Sequence, residues 1–175
     1  IVYDDKNNDG NVFQLTDDRA KVDPNNLEKN AVQLVKENVF VGSDTQLNEY
    51  ISTQAGKIGA DFGEIKVTQN ADGRNAFSTN MGSVSMKDGK VIAQPLKEEN
   101  KGLTVNNKPG SKNEALGNVN NLRSTLEHED KHQTQIAKPT SFNSFKEYTN
   151  WKEHDASTKQ INGKNFSQTT PEYKK

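Results

Sequence analysis

The order of apolar and polar residues along the chain predicts four helices. In four segments the apolar residues recur three or four positions apart, which places them on one face of a helix. Asp23 with Pro24, and Ser144 with Glu147, are favourable pairs at a helix start. The first helix begins at Asp23 and has apolar residues at this spacing, which are Leu27, Ala31, Leu34 and Val35. The others are predicted over residues 45–57, 114–135 or 118–135, and 144–160.

Alternation of apolar and polar residues predicts a small sheet over residues 64–94. The pairs Asp72-Gly73 and Asp88-Gly89 mark turns, and the segments that flank the second turn are predicted to form a hairpin. A short strand is predicted over residues 11–16, and the Asn- and Gly-rich stretch 95–117 is predicted to be a loop. The expected fold class is therefore α+β, with a small twisted and mostly antiparallel sheet packed against the last two helices.

The composition of the chain excludes several classes of function but does not identify a single one. The 175 residues predict a single domain, with a polar lead-in over residues 1–22 and a loosely ordered polar tail over residues 162–175. A net charge of −1 argues against nucleic acid as a partner, and the absence of cysteine excludes disulfides and a thiol nucleophile. No apolar run is long enough to span a membrane. The chain begins Ile1-Val2, without a methionine, as expected for an excised domain of a larger protein.

The third predicted helix contains the residues with the clearest chemistry, His128-Glu129-Asp130-Lys131-His132. Residues i and i+4 lie on one face of a helix, so His128 and His132 can hold one metal ion. Glu129 lies beside them and can take a proton from a zinc-bound water. Only three histidines occur in the chain, and the third is His154 in the next helix. The simpler alternative is a solvated, charged helix that spells this pattern by chance.

A catalytic zinc ion usually takes three protein ligands, so a third is expected from the fourth predicted helix. In a regular helix from Ser144, Glu153 shares a face with Phe145 and Ala156, which predicts that this face is buried. A buried carboxylate needs a partner, and zinc would supply one, so Glu153 is the favoured ligand. His154 is the alternative, because histidine is a common zinc ligand. Without a metal, Glu153 would pair with Lys152 or Lys159 on the surface.

This arrangement resembles the gluzincin branch of the zinc metallopeptidases, in which a glutamate on the next helix completes an H-E-x-x-H site. Here Glu153 follows His132 by 21 positions, and no third histidine follows closely as metzincins require. The resemblance implies peptide hydrolysis with Zn²⁺ as cofactor, His128, His132 and Glu153 as ligands and Glu129 as general base. Gluzincins also have an edge strand above the cleft that binds the substrate backbone, to which Asn75-Ala76-Phe77-Ser78 is similar.

The oxyanion of a hydrolysis intermediate needs a donor besides the metal, and Tyr148 and His154 are the candidates because they lie near Glu153 in sequence. The polar segment ending in Asp9-Gly10-Asn11-Val12-Phe13 resembles segments upstream of toxin domains in bacterial RHS-repeat and related polymorphic-toxin proteins. That resemblance implies a domain secreted or delivered into a target cell, with a protein or peptide substrate and an immunity or inhibitor protein as candidate partners. Two alternatives stay open: a cell-wall peptidase that cleaves peptidoglycan, and a non-enzymatic binding or structural module.

Overall fold

The computed structural model describes residues 31–34, 37–40, 44–68, 77–106, 114–116 and 119–174. The described residues form an α+β fold, as the sequence predicts. The three helices are α1 (Asp44–Ile58), α2 (Val119–Thr134) and α3 (Phe145–Asn162). The strands are β1 (Ala31–Leu34), β2 (Glu37–Phe40), β3 (Glu64–Thr68), β4 (Phe77–Thr79), β5 (Val84–Lys87), β6 (Lys90–Ala93), β7 (Gly102–Asn106) and β8 (Thr140–Phe142). Short 3-10 helices lie at Glu98–Asn100, Glu114–Leu116 and Phe166–Gln168.

These strands form two three-stranded sheets and a hairpin rather than one sheet. In the first sheet, β7 lies between β3, which is parallel to it, and β4, which is antiparallel. In the second, β6 lies between β5 and β8, and both pairings are antiparallel. The hairpin predicted across Asp88-Gly89 is present as β5–β6, with positive φ angles of 49° and 75° at these two residues. Most of the described strand pairing is therefore antiparallel.

Two predictions of local structure are wrong. Residues Ala31–Leu34, predicted as part of the first helix, form strand β1, which pairs with β2 and sets Val32 opposite Val39. Valine is stiff at its first side-chain torsion and favours strands, and this pairing outweighs the helical spacing. Strand β7 lies in the predicted loop 95–117, because Leu103 and Val105 alternate with Thr104 within a run too short to stand out. The predicted strand over residues 11–16 lies outside the described residues.

Helix α2 contributes to the main hydrophobic core, which also includes residues of α1 and of the first sheet. Its buried residues Val119, Leu122 and Leu126 pack with α1 and the first sheet, as the helical spacing predicts. A second core, beside the second sheet, consists of Val91, Ala93, Ile136, Phe142 and Tyr148. Helix α3 packs against α2, and Lys131 Nζ of α2 lies 3.1 Å from Asp155 Oδ2 of α3. Helix α3 begins as its capping box predicts, with the Glu147 N–H donating to Ser144 Oγ at 3.1 Å.

The C-terminal segment, residues 163–174, for which polarity predicts a loosely ordered tail, packs against α2 in the structure. Asn165 and Thr169 are buried, and Asn165 Nδ2 donates to Glu127 Oε1 at 2.7 Å. The ring of Tyr173 packs against the main core. These polar residues are held by side-chain hydrogen bonds, which a pattern of apolar residues does not reveal. In the part of the chain that the structure describes, no helix is long and apolar enough to cross a membrane.

Candidate metal centre

Helix α2 presents His128 and His132 one turn apart on the face that looks toward α3. Their Nε2 atoms are 3.1 Å apart, and the two rings are nearly perpendicular, with an interplanar angle of 88°. His132 is buried, with 8% of its surface exposed, and His128 is half-buried. The i, i+4 spacing therefore brings the two ring nitrogens to one point, as predicted from the sequence.

Helix α3 brings the carboxylate of Glu153 to the same point. Its Oε2 atom lies 3.7 Å from His128 Nε2 and 3.4 Å from His132 Nε2. In a tetrahedral zinc site with bonds of about 2.0–2.1 Å, neighbouring ligand atoms are about 3.3 Å apart. The three distances between these donor atoms are close to that value, so the residues present fit a single metal ion.

The face of α3 that includes Glu153, predicted to be buried, is buried only in part. Ala156 is buried, but Phe145, which was expected to mark the same buried face, is 53% exposed. The Glu153 side chain is itself 50% exposed. Glu153 is therefore close to the histidines because α3 crosses α2 at this level, and not because it lies on a buried face of its helix.

The structure separates the two candidates for oxyanion stabilisation. His154 is exposed and lines an open concavity with Phe142, Ser144 and Trp151, outside the group formed by His128, His132 and Glu153. Tyr148 is buried, and its ring packs edge-on against Phe142 at 5.3 Å between centroids. Burial and then the negative charge of Glu153 raise the pKa of Tyr148. Of the two candidates, Tyr148 is thus the one near the carboxylate of Glu153.

Glu129 is buried beside the histidines, with 8% of its surface exposed. Burial and then the negative charge of Glu153 raise the pKa of Glu129 to about 7, against an opposing hydrogen bond from the Thr79 backbone and the nearby charge of Lys152. A carboxyl group with a pKa near neutrality can both accept and release a proton at physiological pH. This is the behaviour required of a general acid–base residue.

Both imidazoles are held in their neutral form. Burial, followed by the proximity of His128, lowers the pKa of His132 to about 4. Burial also lowers the pKa of His128. Only a neutral imidazole has a lone pair to give to a metal ion, so at neutral pH both rings are in the state that ligation requires.

Several residues around this group were not found from the sequence. The Lys152 ammonium, on a side chain that is 17% exposed, lies 3.3 Å from Glu153 Oε1, the oxygen that faces away from the histidines. Gln135 Nε2 lies 3.2 Å from His132 Nδ1, while Gln135 Oε1 is buried without a hydrogen-bond partner. The sequence predicts Lys152 only as a surface partner for Glu153. Gln135 follows α2 and carries no local pattern that indicates a role.

The edge of the first sheet reaches the group formed by His128, His132 and Glu153 through β4. Gln133 Nε2 donates to Thr79 Oγ1 at 2.7 Å and to the Gly102 carbonyl at 3.2 Å, which fixes α2 against the sheet. The Thr79 backbone also hydrogen-bonds to Glu129. Among the described strands, β4 is an edge strand, and it includes Phe77 and Ser78 of the segment that resembles a gluzincin edge strand. Asn75 and Ala76 lie outside the described residues.

Comparison with known proteins assigns the chain to a family. Residues 21–175 match the family described as Metallopeptidase toxin 2. The chain belongs to this family. No curated protein and no solved structure matches it.

Membership of Metallopeptidase toxin 2 confirms the prediction of a metallopeptidase toxin domain. The family description implies a metal ion, a protein substrate and action on a target cell. It also favours the enzymatic reading over the non-enzymatic module. His128, His132 and Glu153 form a group that is able to hold the metal.

Proposed function

We propose that this domain is a zinc-dependent endopeptidase toxin of the gluzincin type, with His128, His132 and Glu153 as metal ligands and Glu129 as general base. The observation that carries the proposal is the convergence of three donor atoms from α2 and α3, all within 4.8 Å of one another, beside a buried glutamate. Two imidazoles and one carboxylate, with a position left for water, are a donor set typical of catalytic zinc. Zinc bound there would supply Lewis-acid activation of water and polarisation of the scissile carbonyl.

The role of Glu129 is proton transfer. In the metal-free chain the pKa of Glu129 is about 7. Its carboxylate would accept the proton of the attacking water and then pass it to the leaving amine. The hydrogen bond from the Thr79 backbone favours the ionised carboxylate. Burial disfavours that same charged form, which makes the Glu129 carboxylate a stronger base toward the water. The leaving amine is more basic still and takes the proton from it.

The outer edge of β4, which no strand in the described part of the chain covers, supports binding of an extended peptide. Asn80 N–H donates to the Gly102 carbonyl at 2.9 Å, so the backbone groups of Thr79, one residue earlier, point away from β7. The same alternation turns the backbone groups of Phe77 outward. A substrate strand along this edge would pass beside Glu129, which already accepts a hydrogen bond from the Thr79 backbone. Its main-chain hydrogen bonds would therefore be made to the Thr79 carbonyl and to the outward backbone groups of Phe77, largely independently of sequence.

Tyr148 is the proposed donor to the oxyanion that forms on the scissile carbonyl. A tyrosine phenol is protonated at neutral pH, and burial raises the pKa of Tyr148 further, so the phenol can donate a hydrogen bond. His154 is not proposed for this role, because it lies outside the metal-ligand group. The domain is proposed to act after delivery into a target cell, and an immunity protein in the producing cell would then be expected to cover the β4 edge or the metal site.

The test is cleavage of a mixed peptide library by the purified chain, read by mass spectrometry. The wild type should cleave internal peptide bonds, lose activity with a chelator and recover it with added zinc. Glu129→Gln should retain zinc but lose activity by roughly 10²–10⁴-fold, while Glu172→Gln, on an exposed glutamate, should behave as wild type. Cleavage of purified peptidoglycan but not of the library would favour the cell-wall alternative. Full activity of Glu129→Gln would contradict the proposed base.

A further inference from the structure

A chain of hydrogen bonds leads from the C-terminal segment to His128. Tyr173 Oη lies 2.6 Å from Thr125 Oγ1 of α2 and 2.7 Å from Gln160 Nε2 of α3. Burial lowers the pKa of His128, and a side-chain interaction with Gln160 is among the causes that oppose this shift. Three separate parts of the fold therefore meet at the Tyr173 hydroxyl, one step away from a residue of the metal-ligand group.

The direction of each hydrogen bond in this series follows from the contact between Thr125 and Asn121, which lies farthest from His128. Thr125 Oγ1 lies 3.0 Å from the Asn121 carbonyl oxygen, which can only accept, so the single hydroxyl proton of Thr125 is donated there. The Thr125 oxygen then accepts from the Tyr173 hydroxyl. Because Tyr173 has used its only proton, its oxygen can only accept from the Gln160 amide.

This order fixes the orientation of the Gln160 amide. Its nitrogen faces Tyr173, so its oxygen is left for His128, and an amide oxygen only accepts hydrogen bonds. His128 Nδ1 is buried and has no partner of standard geometry, whereas His128 Nε2 faces His132 and Glu153. The Gln160 oxygen is thus matched to a proton on Nδ1.

We propose that the relay formed by Thr125, Tyr173 and Gln160 positions His128 by accepting its Nδ1–H, which leaves the Nε2 lone pair directed at the metal. The inference rests on the proposed ligand role of His128. The two ring nitrogens are distinct, and the hydrogen bond made by one decides which of them can bind a metal. A neutral imidazole in water favours the opposite tautomer, with the proton on Nε2. The relay supplies the hydrogen bond that reverses this preference.

The proposal gives the C-terminal segment a defined role at the metal centre. Asn121 Nδ2 donates to Thr170 Oγ1 at 3.1 Å, and Thr170 N–H donates back to Asn121 Oδ1 at 3.0 Å. This reciprocal pair, together with the packing of the Tyr173 ring on the main core, places the Tyr173 hydroxyl between α2 and α3. The segment thus acts as a positioning element for His128 without touching the substrate.

The tautomer of His128 can be measured without a metal, by nitrogen-15 NMR of its ring in chelator-treated protein at about pH 8, where a histidine of lowered pKa is neutral. Because Glu153 also faces Nε2 in the metal-free chain, the readout is the change between variants, and the wild type should have a larger Nδ1–H population than the variants that lack the relay. Tyr173→Phe and Gln160→Leu should shift the population toward Nε2–H. Gln160→Glu, which keeps an acceptor, should retain Nδ1–H, and so should Gln168→Leu, a matched control on an exposed glutamine.

Zinc affinity, measured by competition with a chromogenic chelator, is the second readout. Tyr173→Phe and Gln160→Leu should bind zinc roughly 10-fold more weakly or worse, as expected when an outer partner of a ligating histidine is lost. Gln160→Glu and Gln168→Leu should bind close to wild type. An unchanged tautomer and unchanged affinity in Tyr173→Phe would overturn the relay. A wild type that binds no zinc would instead overturn the proposed function, and the tautomer measurement would still decide the relay.

Discussion

His132 Nε2 lies 3.4 Å from Glu153 Oε2, although the two residues are on different helices and 21 positions apart. The contact marks the level at which α3 crosses α2. It selects Glu153 over its neighbour His154 as the residue that completes a three-donor group with His128 and His132. This choice determines the first prediction.

Replacing Glu153 by Ala should reduce zinc affinity by well over 10-fold, because loss of an outer-shell partner alone already has an effect of 10- to 100-fold. His154→Ala on the same helix should leave zinc affinity unchanged, since His154 is exposed and outside the group. Zinc titration of both purified variants would check this. If His154→Ala lost zinc and Glu153→Ala kept it, the assignment of the third ligand would be reversed.

The raised pKa of Glu129 predicts a pH-dependent contribution to stability in metal-free protein. The pKa is about 7 in the folded chain and 4.5 ordinarily, so the folded state binds the proton more tightly than the unfolded state. The resulting stabilisation is fully present below about pH 4.5 and is lost as the pH rises through 7, by an amount on the order of 3 kcal/mol.

Denaturant unfolding in the presence of a chelator would measure this effect. His132 titrates in an overlapping range with the opposite sign, because its pKa is lowered to about 4. The comparison should therefore be between wild type and Glu129→Gln, which share the His132 contribution. The free energy of unfolding of Glu129→Gln relative to wild type should rise between about pH 4.5 and 7. A difference that stays flat with pH would show that the Glu129 carboxyl has an ordinary pKa.

Gln135 is expected to orient His132 by accepting the proton on its Nδ1. The oxygen and nitrogen of a side-chain amide are nearly identical in shape, so the amide of Gln135 can be turned by 180°. Oε1, which is buried without a partner, would then face His132 Nδ1 in place of Nε2 and accept its proton. Gln135→Glu, which can only accept, should keep the zinc affinity of wild type. Gln135→Leu should lower it by about 10-fold. Equal losses in the two variants, measured by chelator competition, would contradict an acceptor role.

Lys152 is expected to hold Glu153 so that only Oε2 faces the histidines. Its ammonium lies 3.3 Å from Glu153 Oε1 and 3.8 Å from the sulfur of Met81, in a largely buried position. Lys152→Met should therefore weaken zinc binding by roughly 10-fold, through loss of carboxylate orientation. Lys146→Met, on the exposed start of α3, is the matched control and should have no effect. Unchanged zinc affinity in Lys152→Met would show that Glu153 needs no such support.

The parts of the fold that could be predicted from the sequence are those with strong local signals. Helix α3 begins where Ser144 and Glu147 form a capping box, and the β5–β6 hairpin turns at Asp88-Gly89. Strand β7 has no comparable signal, because its identity depends on pairing with β3 and β4, which lie far from it in sequence. Strand β1 is a different case, because β2 follows it closely in the chain and this local pairing outweighs the helical spacing of its apolar residues.

The candidate site also contains residues that local signals predict and residues that they do not. His128, Glu129 and His132 are recognisable because helical geometry alone places them together. Glu153 lies on the helix that is predicted to supply the third ligand, but the exposure of Phe145 contradicts the prediction that this face of the helix is buried. The residues that surround the ligands, which are Lys152, Gln135, Gln160 and Tyr173, are brought there by tertiary contacts. The spacing of apolar residues along the sequence does not indicate those contacts.

The most direct test of the account is the metal content of protein purified without added zinc or chelator, in wild type and in His132→Ala. The account predicts about one zinc ion per wild-type chain and a large loss in the variant, as expected when one of three protein ligands is removed. His154→Ala, a histidine on α3 outside the group, should retain the metal. A wild type that holds no metal and takes up none on titration, or a His132→Ala variant that retains stoichiometric zinc, would contradict the proposed metal centre.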